Sequence, residues 1–155
     1  MGITSPSIHE ENLEALLHPA MWFALRRLTP SEQDYLLSGD QAALDHLAEE
    51  FIRWFCFKVW ERRPNWVRED ISVALREVAF EAERLHTAEL PFSIWISQDT
   101  PAIGSVGHQL TRLHDEAQSA GIIDESERRR SWHWRHPFVG RYLAKRAREE
   151  RGYDG

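Results

Sequence analysis

The residues best suited to chemistry lie in two neighbouring stretches, 105–112 and 128–135. The candidate binding residues are Ser105, His108, Gln109, Arg112, Arg128, Arg129, Arg130, Trp132, His133 and Arg135. Guanidinium groups pair with phosphate oxygens through two parallel hydrogen bonds. Serine, glutamine and histidine can donate to base edges, and tryptophan can stack on bases. These residue types at these positions predict a nucleic-acid interface.

Charge is distributed unevenly along the chain. The net charge is −6, yet residues 126–148 hold eight basic residues and one acidic residue. An acidic body with one basic segment favours a local contact with an anionic partner over general polyanion binding. The alternative is an arginine-rich segment that only keeps the protein in solution. Tryptophans interleaved with the arginines favour the first interpretation.

The first stretch is predicted to lie on one helix that runs from Pro101 to Ala120. Its apolar positions, separated by four or three residues, are Val106, Leu110, Leu113, Ala117 and Ala120. This spacing follows one face of a helix, and the candidate residues of 105–112 lie on the opposite face. Gly121 can adopt the left-handed conformation that ends a helix. Asp115 and Glu116 would repel a phosphate backbone, so only the first half of the helix is expected to enter a groove.

The second stretch is predicted to be a short strand. Trp132 and Trp134 alternate with His133 and Arg135, which is the two-residue period of a strand with one buried face. Residues 137–150 allow two interpretations. Proline at position 137 can open a final helix, or residues 138–142 can form the returning strand of a hairpin.

The order of these elements resembles the recognition helix and wing of winged-helix DNA-binding domains. The resemblance covers roughly residues 68–143 and depends on Leu110, Leu113 and the turn 120–122, followed by a polar connection and a basic hairpin. It implies that the helix enters a groove and that the hairpin arginines contact phosphates.

That family has a short helix directly before the recognition helix, and only residues 91–97 could supply it here. Phe92, Ile94 and Ile96 alternate as they would in a strand. Pro91 could equally start a short helix, because periodicity does not distinguish the two over so few residues.

The chain before residue 87 is predicted to be helical throughout. Helices are expected at 7–18, 20–28, 30–37, 41–61 and 66–86, with capping signals at Ser7, Thr29, Asp40 and Asn65. The prediction is therefore a mainly α fold with at most three short strands. Residues 1–64 would form a helical part, 65–145 a winged-helix-like module that shares its core, and 146–155 a charged tail.

The helices 41–61 and 66–86 are predicted to form the core. The apolar positions of the first helix are Leu44, Leu47, Phe51, Trp54 or Phe55, and Val59, with Phe57 and Trp60 widening the face. Those of the second are Val67, Ile71, Leu75, Val78, Ala82 and Leu85, with a second line at Trp66, Val73 and Phe80. Faces this wide need cover on more than one side. The cover is either one compact core or a partner protein, which includes a second copy of the chain.

Catalytic, metal and cofactor sites are not predicted. Glu83 and His86 have the Glu-x-x-His spacing of di-iron bundles, but that chemistry needs a second such motif, which the sequence lacks. His133 and His136 form a lone pair without further ligands. The single cysteine, Cys56, excludes an internal disulfide and is expected to be a buried, unreactive thiol.

Composition and the chain's first residues bear on class and location. A hydrophobic content of 42% suffices for a core and argues against a disordered protein. No apolar run spans a membrane and no signal peptide is recognised, so a cytoplasmic protein is expected. The sequence thus favours a non-catalytic nucleic-acid-binding regulator or nucleoprotein subunit. The alternative is a protein-binding partner, such as an immunity protein, an inhibitor or a small helical subunit of an assembly.

Overall fold

The computed structural model describes residues 19–37, 39–98, 101–127 and 130–152. The α-helices are α1 Pro19–Leu25, α2 Pro30–Leu37, α3 Gln41–Arg62, α4 Arg68–Arg84, α5 Phe92–Ser97, α6 Leu110–Ala120 and α7 Pro137–Glu150. A 3-10 helix covers Pro101–Val106, and the strands are β1 Leu90–Pro91, β2 Ile123–Glu125 and β3 Ser131–Trp134. The prediction of a mainly α fold with up to three short strands is confirmed. The helix predicted at 7–18 lies outside the described residues.

The three strands form one small antiparallel sheet in the order β1–β3–β2. Strands β2 and β3 are a hairpin in which Ile123 pairs with Trp134 and Glu125 with Trp132. Leu90 of β1 pairs with Trp132 on the other side of β3. The strand predicted around Trp132 and Trp134 is confirmed and lies at the centre of the sheet. Its hairpin partner is β2, which was not predicted, and not residues 138–142, which are helical.

The core lies where α3, α4 and α7 pack together. One hydrophobic cluster extends from Met21 to Ala144 and includes Phe51, Phe55 and Leu75, all fully buried. The N-terminal helices and the C-terminal elements thus share a single core. Burial of large side chains at this cluster is the main source of the fold's stability.

Several helix ends follow their local sequence signals. The side chain of Asp40 accepts a hydrogen bond from the backbone N of Ala43 at 2.9 Å. Thr29 and Glu32 exchange reciprocal side-chain to backbone bonds of 3.2 and 3.0 Å, which is a capping box. Gly121 ends α6 with φ 78°, in the left-handed conformation. These predictions are confirmed.

The prediction of one continuous helix over residues 101–120 is wrong. The 3-10 helix is separated from α6 by residues 107–109, and both Gly104 (φ 70°) and His108 (φ 65°) have left-handed backbones. Asp70 explains the first part of this path, because it accepts bonds from the backbone N and Oγ of Ser105 at 2.8 and 2.7 Å. That contact holds the segment against α4, out of line with α6.

Helix α4 begins two residues later than predicted, and Asn65 is not its cap. The N-cap residue is Val67, which makes no side-chain capping bond. The hydroxyl of Ser105 instead accepts from the Val67 backbone N at 2.7 Å. Val67 and Leu85, predicted on the buried stripe, are 54% and 50% exposed. They flank α4 just outside its ends, where the helical period no longer directs side chains to the core.

The two segments for which the sequence allowed either a helix or a strand are both helical. Residues 92–97 form α5, in which Ile94 and Trp95 are buried while Ile96 is exposed. Residues 137–150 form α7, so the first part of the predicted charged tail is the last turn of a packed helix. Gly140 is tolerated in α7 because the Trp134 ring occupies the space of a side chain. An added Cβ would lie 2.3 Å from Trp134 Cδ1.

Candidate nucleic-acid interface

Strand β3 divides the basic-aromatic stretch into two faces, as its alternation predicted. Trp132 and Trp134 are half-buried and pack against the core, whereas His133 and Arg135 are exposed. The Trp132 ring lies edge-on to His114, with ring centroids 4.2 Å apart. Trp132 therefore packs against the core, and only part of its ring is exposed to a ligand.

The hairpin arginines lie on the exposed side of the sheet. Arg130 is exposed with φ 56°, and its guanidinium carbon lies 5.5 Å from the centroid of the Phe92 ring. Arg135 is exposed and approaches Asp124 to only 4.0 Å. Arg128 and Arg129 lie outside the described residues. Arg130 and Arg135 are thus the described hairpin cations that a phosphate could reach.

The predicted face of α6 is smaller than the sequence indicated. His108 and Arg112 are exposed, and Gln109 is half-buried at the N-cap position, with Nε2 3.5 Å from the Ser105 carbonyl. Ser105 is committed to its bonds with Asp70 and Val67 and serves the fold. The available polar side chains at this helix end are therefore those of His108, Gln109 and Arg112.

Glu116 was expected to face a phosphate backbone and repel it, but its side chain is buried. Its carboxylate accepts a hydrogen bond from Arg62 Nη2, and its Oε1 lies 3.8 Å from Arg63 Nε. Two guanidinium groups thus compensate its charge. Asp115, whose side chain is 79% exposed, remains as the acidic group on this part of α6. The repulsion expected from two carboxylates is reduced to that of one.

His114 was not among the predicted residues, yet it holds α6 against the sheet. It is 2% exposed, and its ring meets those of Phe92, Trp95 and Trp132 edge-on at centroid distances of 5.0, 5.1 and 4.2 Å. Burial lowers the pKa of His114, so the ring is neutral near pH 7. Neither ring nitrogen has a hydrogen-bond partner in the described part of the chain. The only sequence signal was its position beside Leu113 on the apolar stripe.

The cations of α7 are engaged by the acidic body. The ion pairs join Lys145 to Asp45, Arg148 to Glu83 and Arg151 to Glu77. Arg146 lies 3.3 Å from Glu149 on the same helix. Among the described residues, the basic segment therefore divides into two regions. Lys145 and Arg148 of α7 form ion pairs with the acidic body, whereas Arg130 and Arg135 of the hairpin form no short ion pair.

Comparison with known proteins gives no relative for this chain. No family model, curated protein or solved structure matches it. Its function must be argued from its own residues and geometry.

Glu83, His86 and Cys56 are among the residues whose types in the sequence could serve metal binding or nucleophilic chemistry. Glu83 binds Arg148, while His86 is exposed with φ 52° after the end of α4. Burial raises the pKa of the Cys56 thiol to about 12, so the thiolate nucleophile is scarcely populated near pH 7. Within the described ranges, no three His, Cys, Asp or Glu side chains converge as a metal site would require. None of the helices described there is both long and apolar enough to cross a bilayer.

Proposed function

We propose that this protein is a non-catalytic nucleic-acid-binding protein with a winged-helix-like module between Arg68 and Leu143. Helix α6 would serve as the recognition helix and the β2–β3 hairpin as the wing. The observation that carries the proposal is the order of elements, in which helix α4, strand β1, short helix α5, helix α6 and a hairpin follow one another. The resemblance requires a short helix before the recognition helix, and α5 occupies that position.

The distribution of charge supports the same function. His108 and Arg112 at the start of α6, and Arg130 and Arg135 on the hairpin, are exposed. Arginine suits phosphate because its donors match two oxygens at once. The compensation of Glu116 by two arginines removes one source of repulsion from α6.

The module departs from a minimal helix-turn-helix in the connection between α5 and α6. That connection covers residues 98–109 and contains the 3-10 helix, whereas such turns usually have three or four residues. The bonds from Ser105 to Asp70 hold the connection against α4. We infer that α6 keeps a defined position despite the longer connection.

A second candidate function is binding to a protein partner. Phe57 and Trp60 on α3 are 41% and 36% exposed, and the guanidinium carbon of Arg68 lies 5.9 and 5.3 Å from their ring centroids. Aromatic residues and arginine are enriched in protein interfaces. An immunity protein, an inhibitor or a small subunit would use such a surface.

Fluorescence anisotropy with labelled duplex and single-stranded oligonucleotides, measured across a salt series, tests the first function. The wild type should bind at low salt, and log affinity should fall linearly with log salt concentration. Arg130→Ala combined with Arg135→Ala should reduce the slope by about one for each lost phosphate contact. Arg112→Ala should weaken binding further if α6 enters a groove.

Two controls separate the candidate functions. Arg26→Ala removes one exposed charge from the turn after α1 and should leave nucleic-acid affinity unchanged. Phe57→Ala should also leave it unchanged, since that residue belongs to the alternative surface. Absence of wild-type binding at low salt would refute nucleic-acid binding and favour a protein partner.

A further inference from the structure

A cavity of about 340 Å³ lies between α3, α4 and α7, on residues that the proposed nucleic-acid interface does not use. Its apolar wall is formed by Ile52, Cys56 and Leu143, which are all buried. Small-molecule sites in proteins are typically concave, largely apolar and about 300–1,000 Å³ in volume. The size and the apolar wall therefore suit a small organic ligand.

Four arginines line the cavity and exceed the carboxylates in number. They are Arg53 from α3, Arg68 and Arg76 from α4, and Arg146 from α7, whereas the acidic lining residues are Glu49 and Glu69. Three further carboxylates, Glu50, Glu149 and Glu150, pair with these arginines from outside the lining, so the cavity has no net positive charge. What it offers an anion is a set of guanidinium donors from three different helices, which can form charge-assisted hydrogen bonds.

Arg76 is the most buried of the four arginines, and two ion pairs hold its guanidinium group in place. It is 7% exposed, and its Nη2 and Nη1 lie 2.8 and 2.9 Å from carboxylate oxygens of Glu69 and Glu150. Among the described residues, its Nε has no hydrogen-bond acceptor, and neither has the Nε of Arg146. A buried guanidinium held by two ion pairs is a preorganised donor for an incoming anion.

Arg53 and Arg68 are held more loosely at the exposed edge. Arg53 forms two long ion pairs, at 3.5 Å from Glu50 and 3.9 Å from Glu49. Arg68 forms no ion pair in the described part of the chain and instead lies over two aromatic rings. Both guanidinium groups can therefore turn toward a bound anion without first breaking a short ion pair.

Two hydroxyl groups complete the polar lining. Burial raises the pKa of Tyr142 to about 12, so its hydroxyl stays protonated and remains a possible donor. Ser72 of α4 also lines the cavity. Donors that converge from several helices match an anion with several acceptor oxygens better than a planar carboxylate with two.

We propose that this cavity between α3, α4 and α7 binds a small organic phosphate. Its phosphoryl group would lie among Arg53, Arg68, Arg76 and Arg146, and its carbon skeleton against Ile52, Cys56 and Leu143. This site is separate from the α6 and hairpin surface, and the proposal does not depend on nucleic-acid binding.

Isothermal titration calorimetry of the full chain with phenyl phosphate, at constant ionic strength, tests the proposal. Inorganic phosphate and benzoate serve as reference probes, because each carries one half of the expected ligand chemistry. Phenyl phosphate should bind with one-to-one stoichiometry and more tightly than either reference. Lack of saturable binding of phenyl phosphate, or equally tight binding of benzoate, would overturn the proposal.

Variants locate the binding to the cavity. Arg68→Gln should weaken phenyl phosphate binding roughly tenfold, the size expected from loss of one charge-assisted hydrogen bond. Arg53→Gln should act in the same direction. Both residues are exposed, so these variants should fold even if Arg76→Gln, which breaks two buried ion pairs, does not.

Arg26→Gln is the matched control, since it removes the same charge from an exposed turn outside the cavity. It should bind phenyl phosphate as the wild type does. An equal loss in Arg26→Gln and Arg68→Gln would mean that only net charge matters, and the site would be refuted. Arg135→Gln should leave phenyl phosphate binding intact, which keeps this result separate from any effect on oligonucleotides.

Discussion

The hairpin and the helix that follows it each contribute four basic residues, in 123–135 and 137–150, but their described cations differ in what they contact. On α7 and just after it, Lys145, Arg148 and Arg151 form ion pairs with the acidic body. On the hairpin, Arg130 lies over an aromatic ring and Arg135 approaches a carboxylate only to 4.0 Å. One basic segment is therefore divided between holding a helix in place and presenting charge to solvent.

This difference shows that the net charge of a short segment does not predict which of its charged side chains are available to a ligand. The partners of the α7 cations are Asp45 on α3 and Glu77 and Glu83 on α4, at least 65 positions away in the chain. Only packing of α7 against these helices brings the opposite charges together. Among the described residues of the hairpin, Arg130 has no carboxylate partner and Arg135 approaches Asp124 only to 4.0 Å, so both guanidinium groups remain available to a ligand.

The largest expected effect comes from the contact that joins the two regions, where Trp134 of β3 packs on Gly140 of α7. Gly140→Ala would place a Cβ 2.3 Å from the Trp134 ring, and overpacking of this kind costs about 1–3 kcal/mol. A glycine in a helix interior normally gains up to about 1 kcal/mol on change to alanine. We expect the clash to exceed that gain and the free energy of unfolding to fall in urea titrations.

Trp134→Ala provides the control for this prediction, because it removes the Cγ, Cδ1 and Nε1 atoms that the added methyl group would meet. The double variant should lose less stability than the sum of the two single changes. Additive effects would mean that Gly140 and Trp134 do not interact, and that the hairpin is seated on α7 in another way.

The next effect concerns pH and two histidines in opposite environments. Burial lowers the pKa of His114, so the unfolded chain takes up its proton more readily than the folded protein. Its contribution to stability is present above the unfolded pKa, about 6.5, and is lost as pH falls below that value. The melting temperature should therefore fall on acidification, and His114→Phe should reduce that dependence.

His46 supplies the contrast, since its hydrogen bond to Glu32, at 2.6 Å, raises the pKa of His46. Its contribution is present below the unfolded pKa and is lost as pH rises through the folded pKa. His46→Gln should therefore make the loss of stability on acidification larger. A melting temperature of His114→Phe with the same pH dependence as the wild type would contradict the role of His114.

The smallest expected change in stability comes from a direct comparison of Arg148 on α7 with Arg130 on the hairpin. Arg148→Gln removes an exposed ion pair to Glu83 and should lower the free energy of unfolding by about 1 kcal/mol or less, with a smaller effect at high salt. Arg130→Gln should leave stability nearly unchanged, because that residue has no carboxylate partner among the described residues. Urea titrations at low and high salt measure both. Equal effects of the two changes would remove the distinction between helix and hairpin.

Much of the secondary structure could be predicted because its signals act over a few residues. The capping bonds of Thr29, Asp40 and Gly121 join groups within about four positions, and the alternation of Trp132 and Trp134 needs only one strand. The buried stripes of α3 and α4 likewise follow from helical period, except that Phe57 and Trp60, predicted on the core face of α3, are 41% and 36% exposed. These features are properties of short segments, so the amino-acid sequence alone determined them.

Tertiary structure decided which of the candidate residues are available. Ser105 is bound to Asp70, 35 positions earlier, and Glu116 to Arg62, 54 positions earlier. Both contacts redirect side chains that helical period alone would leave in solvent. His114 meets three aromatic rings from α5 and β3, and the four arginines of the cavity come from three helices. A linear pattern contains no information about such neighbours, because they are brought together only when separate helices pack on one core.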